Sequence, residues 1–201
     1  MVSKFEKFDV SSLSFEEVQV SLRDSVLLPR VGSGECPLFQ LPYLVTLGVP
    51  KQGKFFPTDK DRLFVQLVLE GDVLHNFKLL DELLWSEAFK TKLFGAQGGT
   101  YEYSPIVKQG PRGEHMKIKL QTNHESDKIT TKVCTVDGDF DDVETLQGFE
   151  NRVPYKSTIR TIIKLVKVWT VNKKYGVTFK LVRAGVLELF PVLVPSVVFM
   201  D

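Results

Sequence analysis

Residues Ser157 to Phe190 read STIRTIIKLVKVWTVNKKYGVTFKLVRAGVLELF, and the fold turns on this stretch. It is dominated by Val, Ile, Thr, Leu and aromatic residues, which fit a pleated, half-buried surface. Asn172–Lys173–Lys174 is its one run of three polar residues. Two long strands are therefore predicted, Ser157 to Val171 and Tyr175 to Phe190, joined by a short turn. Trp169, Val171, Tyr175, Val177, Phe179 and Leu181 share the parity of a core-facing row, so Phe179 is expected to pack inside, with Trp169 divided between core and surface. Between Lys164 and Lys167 the parity slips, which predicts a bulge of the kind that bends a sheet toward barrel closure.

Upstream, Met116 to Gln121 (MKIKLQ) alternates strictly, with Lys117, Lys119 and Gln121 on one face and Ile118 and Leu120 on the other. Thr130 to Val136 is a Thr/Val-rich run, and the two are expected to form a hairpin across the polar loop Asn123 to Lys128. Arg62 to Glu70 (RLFVQLVLE) reads as a strand buried on both faces. Asp72 then caps a helix predicted over 72–93, because Val73, Phe77, Leu80 and Leu84 recur at helical spacing, while Leu74, Leu83 and Phe89 widen the stripe. The Gly95 to Gly99 loop ends it. Val18, Val20 and Leu22 alternate with polar residues, and Leu44 to Leu47 follows a turn-rich stretch from Pro29 to Pro42; both read as outer strands. With no second long helix, the chain reads as mainly β.

The composition sets limits on function. Of 201 residues 43% are hydrophobic, 25% charged and 15 are Phe, which excludes disorder as the main state and fits one packed domain. Lys+Arg 26 against Asp+Glu 25 leaves a net charge of +1, so affinity for a polyanion must come from charge placement. Cys36 and Cys134 lie far apart with no CxxC or Cys/His cluster, which argues for a reducing, intracellular setting. Met1 to Val10 has no secretory pattern, and Val186 to Met200 is interrupted by Glu188, Pro191 and Pro195, too short a run for a membrane helix.

Catalytic and metal motifs fail on their details. Asp137, Asp139 and Asp141 have the spacing of a calcium loop, yet Asp142 stands where glycine is required and Gly148 where a bidentate Glu belongs. Gly95 to Thr100 lacks the Gly-Lys-Ser/Thr of a phosphate-binding loop. His75, His115 and His124 pair with no nucleophile at a recognisable spacing. No enzymatic activity, metal or cofactor is expected.

Charge placement is informative. Asp137 to Glu150 holds six acids and no Lys or Arg, whereas Asn151 to Arg183 holds nine basic residues and no acid. The nine are Arg152, Lys156, Arg160, Lys164, Lys167, Lys173, Lys174, Lys180 and Arg183, interleaved with Tyr155, Trp169, Tyr175 and Phe179. A basic track with aromatic rings is what single-stranded nucleic acid requires, the cations for phosphates and the rings for bases. A long hairpin with one solvated lysine face is the plain alternative. The candidate contacts are Tyr155, Lys156, Arg160, Lys164, Lys167, Trp169, Lys173, Lys174, Tyr175, Lys180 and Arg183, with Lys117, Lys119 and Lys132 as the neighbouring face. The Lys173–Lys174 tip is expected to stand clear of acids, and at least one of Trp169 and Tyr175 to stack on a base.

The succession RLFVQLVLE, the helix, MKIKLQ, TTKVCTVDG and the hairpin KVWTVNKKYG–VTFKLVRAGV resembles the single-stranded DNA-binding proteins of podoviruses and of large double-stranded DNA viruses. The resemblance covers roughly residues 60–190. It implies an OB-fold, a five-stranded, partly open barrel whose strand face and loops bind oligonucleotides, with 62–70 as its first strand and the helix between the first and second. On that plan a single domain spans 1–201: N-terminal strands and loops over 1–60, the barrel over 61–190 and a C-terminal tail over 191–201. The implied partners are single-stranded DNA, with RNA left open, replication proteins and a second copy of the chain, but no membrane. The implied role is to coat strands exposed during viral DNA replication, recombination or repair, in the host cytoplasm or nucleus. Podoviral members carry an acidic tail, whereas Leu193 to Asp201 is apolar, so tail regulation does not carry over. A structural or interaction protein of the virion or replication complex is the competing class.

Overall fold

The computed structural model describes residues 2–19, 25–31, 34, 36–123, 125–134 and 140–188. Among these, one sheet holds twelve strands: β1 (Val2–Lys4), β2 (Leu13–Gln19), β3 (Ser25–Val31), β4 (Leu38–Gly48), β5 (Phe64–Val68), β6 (Glu102–Tyr103), β7 (Val107–Gly110), β8 (Gly113–Leu120), β9 (Lys132–Cys134), β10 (Phe140–Asp142), β11 (Thr158–Val171) and β12 (Lys174–Glu188). The α-helices are α1 (Gly71–Trp85), α2 (Glu87–Phe94) and α3 (Leu146–Arg152). None of the helices is long and apolar enough to cross a membrane. Val20, Leu22, His124, Asp137, Asp139 and everything after Glu188 lie outside the described residues.

Five strands close on themselves in the order β4–β5–β8–β12–β11 and back to β4. Neighbours in this ring run antiparallel except β8 and β12, which run parallel. The chain is thus mainly β, built on the five-stranded barrel of an OB-fold. Phe39 and Leu41 of β4, Val65 and Leu67 of β5, Met116 and Ile118 of β8, Ile159, Ile163 and Leu165 of β11, and Phe179 and Leu181 of β12 fill its interior. Phe77 of α1 lies 4.1 Å from Phe5 and meets Phe179 edge-on at 5.7 Å, so the helix seals the barrel on that side.

Several expectations are refined by non-local pairing. Leu38–Gly48 is not an outer strand but the first of the ring, so α1 follows the second ring strand, β5. The helix predicted over 72–93 breaks at Ser86, whose side chain accepts from the Phe89 backbone N–H and caps α2. Asp72 sits in the first turn of α1, the N-cap position belonging to Glu70. The short α3 went unread in the sequence. The loop 123–128 does close a short hairpin, with Thr122 opposite Ile129 and the Thr130 N–H donating to the Gln121 carbonyl at 2.7 Å, but the pairing stops there: β9 runs parallel to β12, with Arg183, Ala184 and Gly185 opposite Lys132, Val133 and Cys134.

The β11–β12 hairpin forms as expected. Asn172 and Lys173 both have positive φ, 49° and 59°, the two-residue turn whose twist suits a hairpin. Val171 faces Lys174, Thr170 faces Tyr175 and Trp169 faces Gly176. A two-residue turn pairs odd positions with even ones, so Trp169 and Tyr175 point to opposite sides, contrary to the parity row read from the sequence. The expected bulge lies between Leu165 and Lys167. By flipping the parity of β11, it keeps Lys164 and Lys167 together outside while Leu165 and Val168 stay buried.

Candidate nucleic-acid interface

The edge of β12 away from β11 is shared among three short partners. β6 pairs with Lys174 and Tyr175, β8 with Lys180 and Leu181, and β9 with the residues from Arg183 to Gly185. Between the first two, residues 176–179 have no strand partner on this edge among the described residues. Here the barrel is open, and a cleft of about 520 Å³ occupies the gap. Its walls are the segment from Ser104 to Ile106, Lys108, Lys117 and Lys119 on one side and Lys167, Trp169 and Val177 to Phe179 on the other.

The cleft wall is held by α1. The Asp81 carboxylate accepts hydrogen bonds from the Tyr103 hydroxyl at 2.6 Å and from the backbone N–H groups of Ile106 and Val107 at 2.7 and 3.0 Å. Burial, with Asp81 beside it, pushes the Tyr103 phenol far above its usual range, so it remains a donor. Opposite, the Trp169 indole rests on Gly176, where an added Cβ would lie 2.7 Å from Cζ2, and its N–H donates to the Val177 carbonyl at 3.2 Å. One face of the half-buried ring is fixed by the strand, and the ring lines the cleft.

The electrostatics follow from strand register. Lys164 lies directly opposite Lys180, Lys180 opposite Lys119, and Lys119 opposite Phe64, so three lysines stand side by side across β11, β12 and β8. Facing side chains in a sheet have Cβ atoms about 5 Å apart, and like charges so placed repel. Lys117, two residues along β8, has its ammonium 3.6 Å above the Phe64 ring. Burial first, and Lys119 second, hold its pKa below the usual 10.5. Among the described residues none of Lys117, Lys119, Lys164, Lys167 and Lys180 pairs with a carboxylate. A second cleft of about 380 Å³ continues the track past Lys117, Lys119 and Lys180 to Phe64; Lys60 also lines it, with its ammonium paired to Asp127. Asp61 also lines it, but its carboxylate accepts from Thr58, capping the turn.

The structure divides the other predicted residues. Tyr175 is fully buried and its hydroxyl donates to the Leu84 carbonyl at 2.7 Å, so it is a core residue and not a stacking ring. Burial and then Glu87 push its phenol up to about 12. Phe179 is buried, as expected. The hairpin tip is not clear of acids, because Glu102 of β6 lies 3.2 Å from Lys174, while Lys173 is exposed beside it. Lys132 faces Asp142 at 3.8 Å, in the same register as Arg183. Tyr155 carries the Arg112 guanidinium 4.6 Å above its ring and Lys156 at 5.7 Å, and lines neither cleft. Arg160 lies 5.9 Å from the Tyr43 ring in a shallow 230 Å³ groove that also holds Glu6 and Lys4.

Sequence reasoning missed Lys60, Lys108, Phe64 and the segment 104–106. Lys60 and Lys108 lie outside the basic stretch, and only the ring's topology brings them to it. Among the described residues no group of three or more His, Cys, Asp or Glu is placed to hold a metal ion.

No protein-family model and no curated protein matches this chain. Among solved structures it is similar to the single-stranded DNA-binding protein from bacteriophage Enc34. The C-terminally truncated form is 10% identical, with 87% of this chain and 95% of that chain covered and a TM-score of 0.47. The complex of that phage protein with single-stranded DNA is 11% identical, with 87% and 96% covered and a TM-score of 0.48.

Proposed function

We propose that this chain is a non-catalytic single-stranded DNA-binding protein that coats strands exposed during viral DNA replication, recombination or repair. The row Lys164–Lys180–Lys119 carries the reading: three facing ammonium groups, each a like-charged neighbour of the next, gain a counter-charge when a phosphate chain crosses them. Lys117 and Lys167 extend the track on either side, and the cleft beside Trp169 takes an unstacked base against the indole. A duplex keeps its base faces stacked and cannot use that ring, so single strands are preferred. Phosphate contacts read no sequence, which suits a protein that covers any exposed strand.

The test is a titration of fluorescent oligo-dT and of the matching duplex across a range of salt. Five phosphate contacts, at about 0.7 each for single strands, give a slope of log K against log salt of about −3.5. A slope near zero, or equal affinity for duplex, overturns the proposal.

A further inference from the structure

Residues 49–63 join β4 to β5, and on this connection Phe55 is 85% exposed, more than any other large apolar side chain among the described residues. Its exposure is built in. Gly53 and Phe56 each donate a backbone N–H to the other's carbonyl at 3.1 Å, which leaves Lys54 and Phe55 as the two residues at the tip of a tight turn. The base of the turn is tied by the Gln52 amide, which donates to the Pro57 carbonyl at 2.7 Å. Phe56 takes the inward place, edge-on to Phe64 at 5.5 Å, so its neighbour is held outward with no core to reach.

The tip stands beside the lysine track. Phe64, which anchors it through Phe56, lies under the Lys117 ammonium and lines the second cleft with Lys60, Lys119 and Lys180. Lys51 and Lys54 are exposed, and among the described residues neither pairs with a carboxylate. An exposed ring between two unneutralised ammonium groups is chemically complementary to one nucleotide of a single strand, base on ring and phosphates on lysines.

We propose that Phe55 is a second stacking ring, at the opposite end of the track from Trp169, with Lys51 and Lys54 taking the flanking phosphates. The proposal rests on the reading of the lysine row as a single-strand path. Its consequence is a dependence on length: a short oligonucleotide fills the Trp169 cleft alone, and only a longer one spans to Phe55.

The experiment uses the full chain carrying Trp85→Phe, so that Trp169 is the one tryptophan and its emission reports the cleft. Oligo-dT of about 4 to 16 nucleotides covers the site sizes of OB-folds. With Phe55→Ala added, the shortest oligonucleotides that quench Trp169 should bind as before, and the longest should bind about 5- to 150-fold more weakly, the range of one lost stacked base. Phe55→Tyr should restore them. If Phe55→Ala quenches Trp169 normally and binds every length like its parent, this inference fails and the track stands. If Phe55→Ala instead changes sedimentation without changing affinity, Phe55 contacts protein and the inference fails. If the parent shows neither quenching nor binding, the track itself fails.

Discussion

Two groups of lysines lie on or beside one sheet and differ in what stands next to them. Lys128, Lys132 and Lys174 face Glu144, Asp142 and Glu102 at 2.6, 3.8 and 3.2 Å. Lys119, Lys164 and Lys180 face one another and, among the described residues, no carboxylate. The acid-free stretch from Asn151 to Arg183 contains Lys174 and Lys180 alike, and the sheet then brings Glu102 to one and Lys119 to the other. Basic residues counted along a chain are therefore not a potential; the field is made by the strands that register places next to each cation.

Charge removal should break this comparison most forcefully. Replacing Lys119, Lys164 and Lys180 together by Gln should lower low-salt affinity for oligo-dT by about three orders of magnitude, at ~1.5 kcal/mol per charged contact. The salt slope should become shallower by about 2. The same change at Lys128, Lys132 and Lys174 should leave the slope unchanged and stability within about 1 kcal/mol, as for exposed ion pairs. Equal losses from the two triple variants would erase the distinction.

The next effect is at the ring. Trp169→Ala should cost about 1–3 kcal/mol of binding, with the salt slope intact because no phosphate contact is lost. Gly176→Ala should act in the same direction with the indole still present, since the new Cβ, 2.7 Å from Cζ2, pushes the ring from its place. Calorimetric titration of both variants decides the point, and normal binding by Trp169→Ala would leave the cleft without a role.

The smallest effect sharpens the comparison within the track. Lys117 loses its proton below the usual 10.5, and a phosphate beside its ammonium favours the charged form and raises that value. Affinity is therefore complete at neutral pH and falls as pH rises through the free protein's Lys117 value. For folding the sign is opposite: the fold disfavours the charged form, so this group's contribution to stability grows as pH rises through the same window. Lys117→Arg, which stays charged, should flatten the alkaline fall in affinity measured by fluorescence titration. An unchanged pH profile would assign the fall to another group.

What could be read from the sequence was local. The β11–β12 hairpin, its bulge and the burial of Phe179 follow from residues within one turn of each other. Ring membership of Leu38–Gly48 did not, because that strand alternates imperfectly and gains its place from β11, more than a hundred residues later. The faces of Trp169 and Tyr175 were misread as one, since their relation depends on whether the turn holds two residues or three. Lys117, Lys119, Lys167, Trp169 and Lys180 were legible as candidates by type and alternation and the structure lines a cleft with them, whereas Lys60 and Phe55 lie on the β4–β5 connection and Lys108 on the short strand β7, outside the basic stretch.

The last ring strand, β12, pairs with β11, β6, β8 and β9 and so touches nearly every part of the sheet. During synthesis, which delivers the N-terminal strands first, β4, β5 and β8 emerge long before the strand that completes their circle. Until then Phe39, Leu67 and Ile118 line an unclosed half-barrel, and the contacts that bury them span most of the chain. Folding dominated by such distant pairings runs on the millisecond-to-second scale. The barrel therefore closes only once β12 has left the ribosome, and even then the opening beside Gly176 has no strand to fill it among the described residues.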